Sequence, residues 1–323
     1  MLARHPLCKQ FSLMWLDYVR RADYSEVTVG ILFGGPVFLA GDTSAGRSQA
    51  HGSASTDFEE LARQHVAKGF RAGYAPHIDV DDTAKVHEAR RAFEDHGVVI
   101  AEVQCWNNLL DCDDSVRKEN RSATVRAVAL ADELAAVCAL NTVGSFAPES
   151  LNHHNPRNFD VEAFDAAVET ARHVIDEARP TRTKFAFEVL AMHVTDDPEV
   201  MERLVAAVDR PAFGVHVDLV NWISSPRKYW FNAELIRDTV KRLGPYIVAA
   251  HAKDISMQDN CDTVRLTEVQ PGQGQIDYGA YLRALDGLGH PVTLLMEHLD
   301  SESEYDAAAE HIRDRASAVG VSL

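Results

Sequence analysis

The stretch FGVHVDLV, residues 213–220, is a short apolar run that carries an acid, Asp218, near its end. Three further apolar runs end in a similar way: FAFEVL (185–190) with Glu188, YIVAAHAKD (246–254) with His251, and VTLLMEHL (292–299) with Glu297. Near-continuous apolar runs are typical of strands buried on both faces of a parallel sheet. The four stretches therefore predict core strands, each with a polar side chain close to its carboxyl end.

Outward from these runs, apolar segments alternate with segments of helical periodicity. Further strands are predicted at 27–33, 71–76, 98–106 and 137–145, and helices at 58–70, 83–97, 115–135, 160–178, 197–208, 232–244, 277–289 and 303–320. Eight strand–helix units in roughly 300 residues favour a single (β/α)8 TIM barrel. A doubly wound open sheet is the alternative, and it is disfavoured because GGP (34–36) lacks the rest of a GxGxxG motif.

The barrel is predicted to span residues 1–323 as one domain, with residues 1–26 as an N-terminal extension. Two long loops interrupt the rhythm, an insertion at 34–56 after the first strand and a loop at 147–159 after the fourth. Both follow the carboxyl ends of strands, which is the face where barrel enzymes place their active sites. We expect either loop to act as a lid or a subunit contact.

Charge and hydropathy exclude several classes of partner. The net charge is −17, with 49 acidic and 32 basic residues and no basic block, which argues against nucleic acid as a partner. No apolar run approaches the roughly 20 residues that span a bilayer, and the first residues lack a continuous apolar signal segment. We therefore expect a cytoplasmic protein that does not bind membranes. The five cysteines show no CxxC spacing, so neither a zinc knuckle nor a disulfide framework is predicted.

Strand periodicity predicts where the strand-end side chains point. Residues two apart on a strand share a face, so His216 lies on the same face as Asp218, and Lys253 on the same face as His251. A single strand-end polar group is most commonly a satisfied structural residue. A set from four strands is instead predicted to converge on one divalent cation, and its members are Glu188, Asp218, His251 and Glu297. Three carboxylates favour Mn²⁺ or Mg²⁺, and the imidazole also admits Co²⁺, Fe²⁺ or Zn²⁺.

Other residues on the same face are candidates for substrate contacts. His153 and His154, in the loop after the fourth strand, are candidate catalytic acids or bases because imidazole titrates near neutral pH. Lys253 and His216 are candidate substrate-binding residues, and Trp106 is a candidate apolar wall for the ring of a substrate. Glu102 and Gln104 share a strand face and are candidates for hydrogen bonds to the site.

Taken in order, AFEVL, GVHVDLVN, AAHAKDI and LLMEHL resemble the xylose-isomerase-like TIM-barrel superfamily of sugar isomerases and epimerases over about residues 58–320. GQGQIDYGAYLRAL (272–285) and WNNL (106–109) add to the resemblance. The resemblance implies one divalent metal, Mn²⁺ first, at the four predicted ligands, with Glu188 and Glu297 as the acid/base pair. It implies an isomerase or epimerase that acts on a small keto sugar or sugar derivative through a metal-stabilised enediolate.

The resemblance also leaves alternatives. Epimerases of this group often carry a His three residues after the Asp ligand and an Arg near the His ligand, where this chain has Asn221 and Lys253. The alternative reaction is a lyase of the same barrel, either a dehydratase or the catalytic subunit of a C-glycoside deglycosidase. We expect a homo-oligomer, or a hetero-oligomer with a small subunit in the deglycosidase case. A metal-dependent endonuclease is disfavoured by the acidic charge, and a non-catalytic scaffold by the presence of all four ligands.

Overall fold

The structure, a computed structural model, describes residues 30–39, 54–148 and 150–323. Within these residues the predicted alternation of strands and helices is confirmed, because eight parallel strands close into a barrel with helices between them. The predicted extension at 1–26, residues 27–29 of the first predicted strand, and most of the 34–56 insertion lie outside the described residues.

The barrel strands follow one another around the barrel in the order β1, β10, β7, β6, β5, β4, β3, β2. Their bounds are β1 (Ile31–Gly34), β2 (Ala72–Tyr74), β3 (Val99–Gln104), β4 (Cys138–Asn141), β5 (Lys184–Glu188), β6 (Phe213–Asp218), β7 (Ile247–Ala252) and β10 (Val292–Met296). Strands β8 (Asp254–Met257) and β9 (Leu266–Val269) form a separate antiparallel ribbon between β7 and the next helix.

The helices that cover the barrel are α1 (Phe58–Ala67), α2 (Thr83–Asp95), α3 (Asp114–Leu134), α4 (Val161–Ala178), α5 (Pro198–Val208), α8 (Asn232–Leu243), α9 (Tyr278–Asp286) and α10 (Glu302–Val319). Two short helices, α6 (Leu219–Trp222) and α7 (Pro226–Trp230), follow β6. No helix among residues 30–39, 54–148 and 150–323 combines the length and the apolar character needed to span a membrane.

Sequence signals at the helix ends explain most of these bounds. Asp197 caps α5, with Pro198 in the first turn, because its carboxylate accepts from a free backbone N–H and suits the helix dipole. Asparagine is a common capping residue, but Asn232 does not cap α8. Asn232 lies inside the helix, and its amide donates to the carbonyls of Tyr229 and Gln275, while Phe231 precedes it without a side-chain cap.

The core lies mainly between the strands and the helices. Phe185 and Phe187 of β5 and Phe213 of β6 pack there with ring centroids 5.1–6.3 Å apart, and burying each ring stabilises the fold by about 1.5–3 kcal/mol. The alternate residues of the same strands point into the barrel. Ala186 lies two residues before Glu188 on the same face of β5. Its side chain is a single methyl group, which takes up little space inside the barrel.

Two segments near the carboxyl end of the barrel have well-defined local structure. The stretch SPRKYW (225–230) forms α7, with Ser225 as its cap. Asp254 is buried and accepts from the backbone N–H groups of Gly272, Gly274 and Ile276 at 2.9–3.0 Å. A Cβ at Gly274 would lie 2.2 Å from the Asp254 carboxylate, so glycine permits this close approach.

Candidate functional site

The four predicted ligands meet at the carboxyl ends of β5, β6, β7 and β10. Glu188 and Asp218 are the last residues of their strands, His251 lies one residue before the end of β7, and Glu297 directly follows β10. One donor atom from each lies within 4.8 Å of the others, and all four side chains are buried. The predicted convergence of these four side chains is thus confirmed as geometry. We call this set the four-residue cluster.

His251 presents its Nδ1 atom to the three carboxylates. Nδ1 lies 2.8 Å from Oε1 of Glu297, 3.3 Å from Oε1 of Glu188 and 3.6 Å from Oδ2 of Asp218. Asn221, just after β6, donates from its side-chain amide to Oε1 of Glu188 at 3.2 Å. The acids are therefore gathered around one ring nitrogen, and Glu188 is fixed by a neutral donor as well.

Lys253 lies inside the charged site. Its Nζ atom is 2.5 Å from Oε1 of Glu297 and 2.7 Å from Oδ2 of Asp218, and its side chain is buried. Buried carboxylates need compensating charge because the interior solvates ions poorly. Lys253 supplies one such charge, and its predicted direction, shared with His251, is confirmed.

The acids differ in their proton affinity. Burial raises the pKa of the Glu188 carboxyl above its ordinary value, and the nearby charge of Glu297 adds to this although His251 opposes it. Burial also acts to raise the pKa of Glu297, but His251 and Lys253 outweigh it and hold that pKa well below its ordinary value. The two carboxylates share one site and yet have environments that push their pKa values in opposite directions.

The donor set fits a divalent cation. Three carboxylates and one imidazole are hard to borderline ligands, which suit Mn²⁺ or Mg²⁺ and also accommodate Zn²⁺ or Co²⁺. Oε2 of Glu297 is buried and has no hydrogen-bond partner among the residues described. A buried carboxylate oxygen without a donor is costly, and a bound cation is one way to satisfy it.

A second buried group adjoins His251 on its other side. Nε2 of His251 lies 3.2 Å from Oε1 of Glu102, a residue of β3. His216 is fully buried, with its ring centroid 4.1 Å from that of His251 in an edge-on arrangement and its Nε2 atom 3.6 Å from Oε2 of Glu102. The structure therefore places His216 behind the cluster, and its role in substrate binding stays a prediction.

An open cleft of about 460 Å³ lies beside the cluster. Its lining comes from the end of β2 and the residues that follow it (74–79), from the end of β3, and from Trp106 just beyond β3, and it includes Tyr74, Glu102 and Gln104. Trp106 is half-buried and donates from Nε1 to Oε1 of Gln104 at 3.3 Å. Trp106 thus forms part of the cavity wall, and its contact with the ring of a substrate stays a prediction.

The two histidines of the loop after β4 are placed differently from the cluster. His153 and His154 have exposed side chains, whereas the predicted ligands are buried. The loop itself is held by neutral contacts: the Ser145 hydroxyl donates to the His153 carbonyl at 2.6 Å, and Nε2 of buried His193 lies 2.6 Å from the Leu151 carbonyl. Burial lowers the pKa of His193 to about 4, because the effect of burial is larger than the opposing effect of the hydrogen bond to Leu151.

Sequence reasoning missed one polar link at the rim. Glu268, on the ribbon strand β9, has a carboxylate oxygen 3.0 Å from Nδ1 of His298 and another 3.8 Å from Nζ of Lys253. His298, in turn, has its Nε2 atom 3.8 Å from Oε1 of Glu297. This link could not be predicted because the ribbon that carries Glu268 was not predicted. Its two strands are short and partly exposed, and no apolar run in the sequence marks them.

Comparisons with known proteins agree with this architecture. A family model described as a xylose isomerase-like TIM barrel matches residues 60–315. No curated protein matches the chain in sequence.

Several solved structures share the fold at low identity, and we describe three. A xylose isomerase-like TIM barrel protein from Mycobacterium smegmatis, in complex with magnesium, is 19% identical, with a TM-score of 0.60 over 81% of this chain and 88% of that one. A 3-keto-D-glucoside 4-epimerase from E. coli is 15% identical (TM-score 0.61, 89% and 99% covered). A probable 3-DHS dehydratase from Bacillus anthracis is 14% identical (TM-score 0.59, 80% and 92% covered).

Proposed function

The chain belongs to the xylose isomerase-like TIM barrel family, and from that premise we propose that it is a divalent-metal-dependent isomerase or epimerase of a small keto sugar or sugar derivative. The observation that carries the proposal is the convergence of Glu188, Asp218, His251 and Glu297 within 4.8 Å at the carboxyl end of the barrel. A solved structure that shares the fold at 15% identity is a 3-keto-D-glucoside 4-epimerase, which supports this class of substrate.

The four-residue cluster would hold the metal, with Mn²⁺ preferred. A divalent cation supplies positive charge that makes a C–H next to a carbonyl more acidic. Glu188 and Glu297 would move the proton, one carboxylate removing it from carbon and the other returning it. Delivery to the opposite face of the same carbon inverts that carbon, and delivery to the former carbonyl carbon converts a ketose to an aldose.

The environments of the two acids support this assignment. Glu188 accepts from the amide of Asn221 and contacts His251, whereas Glu297 also contacts the ammonium group of Lys253. Lys253 also contacts Asp218 and would keep that carboxylate in place while charge moves at the other two. Closely spaced acids with different partners are a common way to divide acid and base roles.

The cleft beside the cluster would receive the sugar. It is bounded by the Trp106 indole and by Tyr74, and it reaches Glu102 next to His251. An aromatic wall with polar groups at its edge suits a ring that has apolar C–H faces and hydroxyl edges. We also propose that His153 or His154, both exposed in the loop after β4, contacts the part of the substrate that faces solvent.

Deuterium exchange tests the reaction class. The purified protein is loaded with Mn²⁺ and incubated with a panel of ketoses and keto-glycosides in D₂O. We expect deuterium at the carbon next to the carbonyl, together with a new epimer or isomer. Metal analysis of the same sample is expected to give about one ion per chain, which is lost in His251→Ala. Failure to bind a divalent ion, or exchange that is equal in His251→Ala, would remove the basis of the proposal.

A lyase of the same barrel is the second candidate. One structural neighbour is a probable dehydratase, and Lys253 lies where its ammonium group could stabilise a departing oxygen. Loss of a leaving group from the carbon next to the acidified C–H would give dehydration or cleavage of a C-glycoside. In the D₂O experiment this reaction releases the leaving group without an epimer. Copurification of a small second chain would favour a deglycosidase assembly over the homo-oligomer that we otherwise propose.

A further inference from the structure

Glu102 is a buried acid at the junction of the four-residue cluster and the cleft. The residue is only 1% exposed, and it also forms part of the cleft lining. Oε1 lies 3.2 Å from Nε2 of His251, and Oε2 lies 3.6 Å from Nε2 of His216. Because an isolated buried carboxylate is costly, contacts to two imidazoles give this acid a reason to lie there.

His251 uses its two ring nitrogens on opposite sides. Nδ1 faces the carboxylates of the cluster at 2.8–3.6 Å, and Nε2 faces Glu102. A neutral imidazole carries its proton on only one nitrogen. A proton on Nε2, donated to Glu102, therefore leaves the lone pair of Nδ1 free to bind a cation that the carboxylates of the cluster would hold.

We propose that Glu102 is a positioning residue that accepts a hydrogen bond from Nε2 of His251 and so holds Nδ1 toward the metal. The inference rests on the metal-dependent function proposed above. Carboxylate partners of this kind orient ligating histidines in many metal sites, and their loss costs about 10- to 100-fold in metal affinity. Glu102 contacts His251 from the opposite side of the barrel, and the two residues are 149 positions apart in the sequence.

His216 completes the arrangement from the other side. Its ring packs edge-on against His251 at 4.1 Å, and it lies beside the second oxygen of Glu102. His216 therefore restricts both the rotation of the His251 ring and the tilt of the Glu102 carboxylate. The pairing of Glu188 with His216 in the β5–β6 register fixes His216 at this depth.

A second metal ion is the competing role for this group. Glu102, His216 and His251 also have donor atoms within 4.8 Å of one another. The positioning role is favoured because Glu102 and His251 are already at hydrogen-bonding distance. A second ion would also require His251 to bridge two cations with neither ring nitrogen protonated. The two roles predict different numbers of bound ions.

The test measures Mn²⁺ binding without substrate. Calorimetric titration of the full chain is expected to give one Mn²⁺ per chain in the wild type and an affinity about 10- to 100-fold weaker in Glu102→Ala. Glu102→Gln keeps the volume and an acceptor oxygen, so we expect a loss of only about five-fold, since a neutral acceptor makes the weaker bond. Glu169→Gln removes an exposed charge on α4 and is expected to bind like the wild type.

A spectroscopic readout separates positioning from loss of structure. In the Zn²⁺-loaded protein, ¹⁵N NMR is expected to show His251 protonated on Nε2 and ligated through Nδ1 in the wild type and in Glu102→Gln. This signature is expected to weaken in Glu102→Ala. If that variant does not fold, the affinity and the spectrum of Glu102→Gln decide, and an unchanged affinity there overturns the proposal.

Two other results also overturn it. One is an unchanged Mn²⁺ affinity in a folded Glu102→Ala variant. The other is two Mn²⁺ ions per wild-type chain, one of which is lost with Glu102. If Glu102→Ala weakens binding as expected but the wild type gives no proton exchange with any ketose, the positioning role stands and the proposed function falls.

Discussion

The two halves of the barrel's carboxyl-end face differ in charge and in access to solvent. The charged half, from β5, β6, β7 and β10, gathers three carboxylates, His251 and Lys253 in buried positions. The cleft half, from β2 and β3, is an open cavity of about 460 Å³ with Tyr74 and Trp106 in its lining. The charged half holds its ionised groups away from water, and we propose that the cleft half receives the ring of the substrate.

The difference teaches how one barrel face can separate binding from chemistry. Buried charges interact strongly because the interior screens them poorly, so a small displacement in the charged half alters reactivity. An aromatic wall contributes modest and less directional contacts, so changes there alter affinity instead. Glu102 belongs to both halves, since it lines the cleft and contacts His251. Substitutions in the two halves are therefore expected to give different kinetic signatures.

The largest effect is expected from Glu297→Gln in the charged half. This change keeps the shape of the side chain but removes a ligand charge and a proton-transfer group, so the deuterium exchange rate is expected to fall by about 10³-fold. Glu310→Gln, at an exposed position of α10, is the matched control and should exchange at the wild-type rate. An exchange rate within ten-fold of the wild type in Glu297→Gln would show that this carboxylate does not move the proton.

The next effect concerns stability and metal together. Lys253→Met removes the cation between Asp218 and Glu297, which leaves buried carboxylates uncompensated and is expected to cost about 3 kcal/mol of unfolding free energy in EDTA. Added Mn²⁺ should stabilise this variant more than the wild type, since a cation restores the missing charge. Denaturant titrations in EDTA and in Mn²⁺ measure both the loss of unfolding free energy and the stabilisation that Mn²⁺ provides.

The control for that prediction is an exposed lysine in an ion pair. Lys85 pairs with Asp82 at 2.9 Å on the surface of α2, and surface pairs contribute little to stability because water and salt screen them. Lys85→Met should therefore lose little stability and should respond to Mn²⁺ as the wild type does. An equal response to Mn²⁺ in Lys253→Met and Lys85→Met would contradict a role for Lys253 as a counter-ion of the cluster.

The charged half was predictable from sequence to a large extent. Apolar runs marked the strands, and the two-residue period gave the inward direction of His251 and Lys253, which the structure confirms. The direction of a side chain does not, however, specify which groups its terminal atoms contact. Whether the long Lys253 side chain would turn to the carboxylates or to solvent depended on the partners that the neighbouring strands place beside it.

The cleft half and the rim were less predictable for physical reasons. The contact between Glu102 and His251 joins residues 149 positions apart, so it depends on barrel closure and strand register, which local patterns do not specify. The ribbon β8–β9 has half-exposed strands of four residues each, too short for a clear period. Helix α7 is a single turn that begins after the Ser225–Pro226 pair. A Ser-Pro pair is as typical of a loop as of the first residues of a helix.

A smaller effect is expected in the cleft half. Trp106→Ala removes the aromatic wall, which is expected to raise KM about ten-fold, a loss of about 1.4 kcal/mol of binding free energy, while kcat stays within about two-fold. Trp230→Ala, at a tryptophan that is 56% exposed on α7, is the control for the loss of an indole. An equal fall in kcat and kcat/KM for Trp106→Ala would show that Trp106 stabilises the transition state rather than the bound substrate. The two halves would then not differ in their kinetic roles.

The smallest effect is expected at the loop after β4, and it chooses between two neighbouring histidines. Both side chains are exposed, so a hydrogen bond from either to the substrate competes with water and contributes only about 1 kcal/mol. One of His153→Gln and His154→Gln is therefore expected to lower kcat/KM about five-fold, and the other less than two-fold. A fall of 100-fold or more in one variant would instead indicate general acid–base catalysis. Because both side chains lie outside the buried cluster, such a result would require the loop to close over the substrate and would move part of the chemistry out of the charged half.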